Sequence, residues 1–264
     1  MNKQRETPLV DIQSTHDERN IPIDRVGVRD VKYPMFLRVR GGGLQHTVGN
    51  FTLTVDLPRN FKGTHMSRFI EVLSEHSHDL SIETIPDILA RLRKRLAAKN
   101  SHLQMRFIFF REKAAPVTGK TGMMGYLCGF DASGGDHDDF VHYLEVPVTT
   151  LCPCSKEISS RGAHNQRGVV RVRVRANGLL WLEEVIDLIE ACGSCQLYPV
   201  LKRPDEKFVT EHAYDNPRFV EDMVREVALA FDAEDRIRWY EIEAENFESI
   251  HDHNAYASLR REKS

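Results

Sequence analysis

The sequence predicts an α+β fold made of two similar modules, each with the element order ββααββ. Three observations support this prediction. Apolar and polar residues alternate in paired stretches of strand length. Between these pairs, apolar residues recur every three or four positions, as in amphipathic helices. The same order is found in both halves of the 264 residues, so we assign a polar lead-in arm (1–33), a first module (34–135) and a second module (136–264).

The first module begins with a predicted antiparallel strand pair. Alternation runs from 37 to 57 on both sides of a triple glycine at 41–43, which marks the turn. Helical spacing of apolar residues follows at 66–73 and at 85–96. Alternation returns between 103 and 130 and predicts the second strand pair.

The second module repeats this order. Residues 144–148 and 170–174 alternate in hydropathy and predict two strands that flank a cysteine-containing segment. The apolar positions of 181–192 predict an amphipathic helix. A second helix is predicted over 216–231, because the stretch opens with asparagine as N-cap and proline at the first helical position. A closing strand pair is predicted between 236 and 259.

The composition excludes several classes of protein. With 36 basic and 39 acidic side chains, the formal net charge is -3, so no overall field favours nucleic acid or an anionic membrane. No stretch approaches the roughly 18 apolar residues of a membrane span, and the start lacks the apolar core of a secretion signal. Five cysteines are too few and too uneven for a disulfide framework. We therefore expect a cytoplasmic protein whose cysteines serve thiol chemistry or metal binding.

The stretch TTLCPCSKEISSRGAHNQRG, residues 149–168, is a candidate metal site. Cys152, Cys154 and His164 lie in a turn between two predicted strands, and thiolate and imidazole are suitable ligands for Zn²⁺ or a similar ion. A carboxylate ligand has to come from elsewhere. The candidate is Glu206, which the sequence pattern places in a loop between two helices.

Two other interpretations of the cysteines remain open. Cys152 and Cys154 could join Cys192 and Cys195 in a closed structural zinc site with four thiolates. Against this, Cys192 fits the apolar stripe of its predicted helix, so it is equally a core residue.

The turn NFESIHDHNA near the C-terminus carries Glu248, His251 and His253. A histidine with a neighbouring carboxylate can shuttle protons near neutral pH, although exposed turns also carry such residues without a function. Basic residues near these segments could bind phosphates or simply face solvent, and no P-loop or Rossmann glycine pattern is present.

The wording of several motifs resembles one known family. The strings are NIPIDRVGVRDVKYP, DLPRNFKGTHMSRF, VPVTTLCPCSKEIS, GAHNQRG, YPVLKRPDEKFVTE, NPRFVEDMVR and NFESIHDHNAYA. Together they resemble the type IB GTP cyclohydrolase I enzymes, in the same order and from about Asp17 to Ala257. The resemblance implies a tunnelling fold with two tandem ββααββ modules, antiparallel sheets and helices on one face. It also implies a homotetramer with active sites at subunit interfaces.

The implied reaction converts GTP and water to 7,8-dihydroneopterin triphosphate and formate, a step that leads to folate and in many bacteria to queuosine. By this resemblance, Cys152, His164 and Glu206 hold one divalent ion per active site, with Zn²⁺, Mn²⁺ and Fe²⁺ as candidates. Cys154 is then expected to face the substrate as a thiol. The division of roles between the two cysteines stays open.

Glu221 matches the carboxylate with which tunnelling-fold enzymes bind the edge of a purine or pterin. His251, held by Glu248, is expected to deliver protons to the opening ring. Expected substrate contacts from basic residues are Lys156, Arg161, Lys202, Arg203, His65 and Arg68. Two alternatives remain: another tunnelling-fold purine or pterin enzyme with Cys154 as nucleophile, and the structural zinc protein.

Overall fold

A computed structural model describes residues 11–13, 15–76 and 80–263, and these form one eight-stranded antiparallel sheet with helices packed on it. The strand order in the sheet is the order in the sequence. The strands are β1 (Ile23–Arg38), β2 (Leu44–Leu57), β3 (Ser101–Ala114), β4 (Thr121–Gly134), β5 (Asp139–Leu151), β6 (Asn165–Ala176), β7 (Ile237–Asn246) and β8 (Ala255–Glu262). The helices are α1 (Met66–His76), α2 (Ile85–Leu96), α3 (Pro153–Ile158), α4 (Leu182–Glu190), α5 (Arg203–Asp215) and α6 (Val220–Ala233).

The α+β class and the repeated ββααββ order are confirmed. The first module has the order β1–β2–α1–α2–β3–β4. The second has β5–β6–α4–α6–β7–β8, with α3 inserted between its first two strands and α5 inserted between its two packed helices. The two modules share one sheet, because β4 pairs with β5.

The predicted lead-in is too long. Its residues 1–10 and 14 lie outside the described part of the chain, but β1 already begins at Ile23. The first half of β1 is mostly exposed, and its pairing with β2 shifts register twice, between Ile23 and Val26 and between Val28 and Val31. An edge strand that covers little of the core needs no apolar alternation, so the pattern gave no strand signal there.

Two predictions around residues 203–217 are wrong. The expected loop at Glu206 is the first turn of α5, a surface helix whose buried residues are only Asp205 and Ala213, so it carries little helical periodicity. Asn216 does not start the next helix but ends α5, donating its side-chain amide to the carbonyl of His212 at 2.8 Å. The following helix begins at Val220, where the Asp222 carboxylate accepts the N–H of the preceding residue.

The core is continuous across both modules. Cross-strand partners Phe107, Cys128, Leu144, Val172 and Ile242 lie side by side on five strands, and all belong to one buried cluster with α1, α2, α4 and α6. Cys128 and Cys192 are core residues, as predicted. In the described ranges, none of the helices has the length and apolar character needed to cross a bilayer.

A buried polar cluster also joins the modules. The Glu190 carboxylate on α4 accepts hydrogen bonds from Tyr126 Oη on β4 and Lys113 Nζ on β3, both at 2.7 Å. Glu190 is only 4% exposed. Burial lowers the pKa of Lys113 and raises the pKa of Tyr126. Both polar groups are thus removed from water, and the Glu190 carboxylate is the hydrogen-bond partner of each.

We expect Glu190→Ala to lower the free energy of unfolding by about 3–5 kcal/mol, because it leaves the Lys113 ammonium buried without its partner. Urea denaturation followed by circular dichroism measures this loss. The matched control is Glu211→Ala, which breaks the exposed Lys207–Glu211 pair and is expected to cost less than about 0.5 kcal/mol. Equal losses in the two variants would contradict the assignment.

Stability is also expected to depend on His142, which is 2% exposed and packs edge-on against the rings of Phe130 and Phe140. Burial lowers the pKa of His142 from 6.5 to about 4. Above pH 6.5 the imidazole is neutral in both the folded and unfolded states. Between pH 6.5 and pH 4 only the unfolded chain takes up the proton, so the free energy of unfolding falls by about 3 kcal/mol as pH drops.

Urea titrations at several pH values between 7 and 4 test this dependence. The His142→Gln variant is expected to lack that part of the slope. A variant and a wild type with the same pH dependence would show that this histidine does not titrate as a buried group.

Candidate active site

The connection between β5 and β6 brings two of the predicted metal ligands together. The Cys152 N–H donates to the His164 carbonyl at 3.0 Å, which closes the two ends of the connection. Inside it, the Ser155 hydroxyl donates to the Cys152 carbonyl and accepts the N–H of His164, each at 3.2 Å. The Cys152 thiol lies at the start of α3 and accepts the Ser155 N–H at 3.4 Å. Cys152 and His164 therefore lie side by side at one end of the sheet.

The imidazole of His164 is oriented by two residues that the sequence analysis missed. Its Nδ1 lies 3.0 Å from Gln166 Oε1, and Gln166 Nε2 donates to the buried Thr150 hydroxyl at 3.0 Å. With the amide in this orientation, Nδ1 carries the proton and Nε2 keeps its lone pair for another partner. The available signal was the spacing of two between His164 and Gln166, because side chains two residues apart in extended chain point the same way.

Glu206, the third predicted ligand, is exposed on the first turn of α5. Among the residues that the structure describes, no three His, Cys, Asp or Glu side chains form a group that could hold a metal ion. The structure thus pairs Cys152 with His164 but does not bring Glu206 into a cluster with them.

The structure does not bring together the four thiols of the structural zinc hypothesis. None of the five cysteines forms a disulfide, and within the described ranges they belong to no group of three potential metal ligands. Cys192 and Cys195 are buried while Cys154 is exposed, and the Cys192 thiol donates to the Leu188 carbonyl at 3.1 Å.

Asp205, next to Glu206, is another residue that sequence reasoning missed. Burial alone would raise the pKa of its carboxyl, but hydrogen bonds from Thr118, Lys202 and Val117 hold that pKa at about 2. These hydrogen bonds therefore favour the charged form of the carboxylate.

The start of α6 also lies near Cys152. The N–H of Arg218 donates to the carbonyl of Leu151 at 2.9 Å, so the segment before α6 is attached beside Cys152. Glu221 is exposed in the first turn of this helix. An exposed carboxylate at a helix N-terminus is stabilised as an anion, which suits an acceptor of two N–H groups.

The turn between β7 and β8 reaches the same place, because Ser249 Oγ lies 3.4 Å from His164 Nδ1. His251 and His253 are exposed on this turn, and Glu248 is half-buried. The ring of His251 stacks on that of His253 with centroids 5.0 Å apart, and in the described residues no hydrogen bond joins His251 to Glu248. The predicted carboxylate–histidine contact is therefore not formed in this structure.

The basic residues fall into two separate groups. Lys202 and Arg203 lie at the start of α5, Arg161 is exposed in the connection after α3, and Lys156 Nζ donates to the Tyr214 carbonyl at 2.5 Å. All four are in the second module, on segments that follow β5.

His65 and Arg68 follow β2, whose C-terminal end lies at the opposite end of the sheet from Cys152. There His65 Nε2 lies 3.2 Å from the Asp11 carboxylate, and Arg68 donates to the Arg95 carbonyl at 3.0 Å. One chain does not bring these two residues to the Cys152–His164 pair.

Comparisons with known proteins identify the family and the fold. The family model described as "Type I GTP cyclohydrolase folE2" matches residues 9–257. GTP cyclohydrolase FolE2 of Geobacter sp. strain M21 is 51% identical over 255 residues, covering 97% of this chain and 96% of that protein. GTP cyclohydrolase FolE2 of Nitrosococcus oceani is 51% identical over 259 residues, covering 98% and 97%.

Solved structures show the fold alone. Urate oxidase of Bacillus subtilis 168 aligns with a TM-score of 0.53 at 8% identity, over 90% of this chain and 98% of that chain. A hyperthermostable mutant of Bacillus sp. TB-90 urate oxidase aligns with a TM-score of 0.53 at 10% identity, over 91% and 98%. This likeness identifies the architecture as the tunnelling fold, and the near full-length identity to FolE2 proteins shows that the chain belongs to the type I GTP cyclohydrolase family.

Proposed function

We propose that this protein converts GTP and water to 7,8-dihydroneopterin triphosphate and formate. This reaction is the first step of tetrahydrofolate biosynthesis, and its product also serves queuosine biosynthesis. The observation that carries the proposal is the 51% identity to FolE2 enzymes over 97% of the chain. A cytoplasmic location is part of the proposal.

The proposed cofactor is one divalent ion per active site, Zn²⁺, Mn²⁺ or Fe²⁺, held by Cys152, His164 and Glu206. The chemistry of the donors supports this, because thiolate, imidazole and carboxylate together suit a borderline ion. Further support comes from Gln166, which accepts from the His164 ring as outer partners of metal-bound histidines do. When bound, the ion supplies the Lewis acidity that activates water for attack on C8 of guanine.

The remaining roles belong to side chains. Glu221 accepts two N–H bonds, from N1 and N2 of guanine, and so orients the base. Cys154 presents its thiol to the substrate. Opening the imidazole ring requires protons at N7 and N9, which His251 delivers from the β7–β8 turn that also carries Glu248.

The triphosphate is proposed to contact Lys202, Arg203, Lys156 and Arg161, which flank the Cys152 end of the sheet. His65 and Arg68 would reach an active site only from a second chain, in keeping with a proposed homotetramer that has its sites at subunit interfaces.

Metal dependence is the first test. Protein stripped with a chelator and reloaded with Mn²⁺ or Zn²⁺ is expected to release formate from GTP and to yield fluorescent neopterin after oxidation. His164→Ala is expected to lose metal binding and both products. His137→Ala, which removes an exposed imidazole at the opposite end of the sheet, is the control and should keep both. Turnover of GTP without formate would instead indicate a different purine reaction.

Guanine recognition is tested with Glu221→Gln. Loss of a charged acceptor of two hydrogen bonds is expected to lower kcat/KM for GTP by about 100-fold, equivalent to ~3 kcal/mol. Inosine triphosphate lacks the N2 amino group, so the wild type should discriminate against it and the variant should do so much less. A variant that keeps the full preference for GTP would place guanine recognition elsewhere.

A further inference from the structure

One buried carboxylate connects the first module to the helix that carries Glu206. Asp205 Oδ1 accepts the N–H groups of Val117 and Thr118, both at 2.9 Å. Its Oδ2 accepts the Thr118 hydroxyl at 2.7 Å and the Lys202 N–H at 2.8 Å. The residue is 0% exposed. All four donors are within short hydrogen-bond range of the two oxygens, so this carboxylate is fully bonded.

Helix capping explains only one of these four bonds. Asp205 is the third residue of α5, and its bond from Lys202 is an N-terminal cap. Glu184 occupies the same position in α4 and accepts hydrogen bonds from the Trp181 N–H at 3.0 Å and from Arg236, both in the second module. Its contact with the first module is an ion pair with Arg40 at 3.8 Å, and no first-module hydrogen bond to it is seen in the described residues. The three bonds from Val117 and Thr118 therefore exceed what starting a helix requires.

The turn that supplies these donors, residues 115–120 between β3 and β4, is closed by its own bonds. Ala115 N–H donates to the Lys120 carbonyl at 2.9 Å, and Gly119 N–H donates to the Ala115 carbonyl at 3.1 Å. Gly119 has a φ of 65°, which favours glycine. The turn is thus held by its own hydrogen bonds in addition to those it makes with Asp205.

The same hairpin also supports the segment that leads into α5. A side chain on Gly122 would meet Val200 Cγ2 at 2.9 Å and Pro199 Cγ at 3.0 Å, so the strand approaches this segment closely. Only Asp205 and Ala213 of α5 are buried. The direction of the first turn of α5 therefore depends chiefly on the Asp205 carboxylate and this contact.

We propose that Asp205 is a positioning residue, through which the 115–120 turn of the first module fixes the first turn of α5 and thereby the approach of Glu206 to the metal site. This inference rests on the proposed function, because it assigns Glu206 to the metal. It makes the active site of the second module dependent on the first.

The test uses full-length protein and three single variants. Asp205→Asn places an N–H₂ group against the Lys202 N–H and the Thr118 hydroxyl. Thr118→Val removes one bond to the turn and leaves the helix cap intact. Glu184→Gln is the control, since it alters the equivalent cap of α4, a helix that carries none of the proposed site residues. Zn²⁺ affinity is measured by competition with a chromophoric chelator, and amide hydrogen exchange over residues 203–208 is measured without metal.

We expect Asp205→Asn to bind Zn²⁺ about 10–100-fold more weakly, which is the usual effect of removing a residue that orients a metal ligand. Its backbone amides at 203–208 should also exchange hydrogen faster than those of the wild type. Thr118→Val should change both quantities in the same direction by less. Glu184→Gln should leave both as in the wild type. In a Glu206→Gln background, Asp205→Asn should weaken Zn²⁺ binding no further, because its effect passes through Glu206.

Wild-type affinity in Asp205→Asn, or an equal loss in Glu184→Gln, would overturn the proposal. If the wild type binds no Zn²⁺, the proposed metal site fails, and hydrogen exchange then decides the positioning role by itself. Faster exchange over 203–208 in Asp205→Asn and Thr118→Val, but not in Glu184→Gln, supports that role. Unchanged exchange rejects it.

Discussion

The pairing of β4 with β5 is the interaction on which the rest of this structure depends. It runs from Leu127 opposite Glu145 to Ser133 opposite Asp139 and turns two four-stranded modules into one sheet. The register places Cys128 opposite Leu144, so the core rows of both modules become continuous. A slip of one residue would turn every apolar side chain of one module to the solvent face. The buried Glu190 cluster, with donors on β3 and β4 and its acceptor on α4, also links the two modules.

The same pairing decides where the chemistry is found. In an antiparallel sheet with strands in sequence order, successive connections alternate between the two ends. The connections after β3, β5 and β7 therefore lie at one end, and strands β2, β4 and β6 finish at the other. The long connection after β6 returns to the first end with α5, where Asp205 accepts hydrogen bonds from Val117 and Thr118. Cys152 and His164, the turn that carries His251, and the 115–120 turn share the first end. His65 and Arg68 belong to the second end, so any joint action with Cys152 requires another chain.

Several polar side chains near the proposed site are linked to one another by hydrogen bonds. Thr150 holds Gln166, which holds the ring of His164. Asp205 holds both a helix and a turn. These linked hydrogen bonds restrict the side chains that take part in them. Because the side chains are already ordered, less conformational entropy is lost when a ligand binds. Glu206, Glu221 and His251 are in contrast exposed, as side chains that meet a substrate or another subunit must be before it arrives.

The sequence by itself determined the α+β class, the repeated element order and the family, because alternation, helical spacing and long motifs are local properties of the chain. It also indicated that Cys152 and His164 belong to one site. Only the tertiary structure decided that β1 begins at Ile23, that Glu206 lies on a helix, and that His65 lies at the far end of the sheet. Edge strands and surface helices bury little apolar area, so they leave no periodic signal. The positions of Gln166 and Asp205 depend on partners up to 88 residues away, and no local pattern records such contacts.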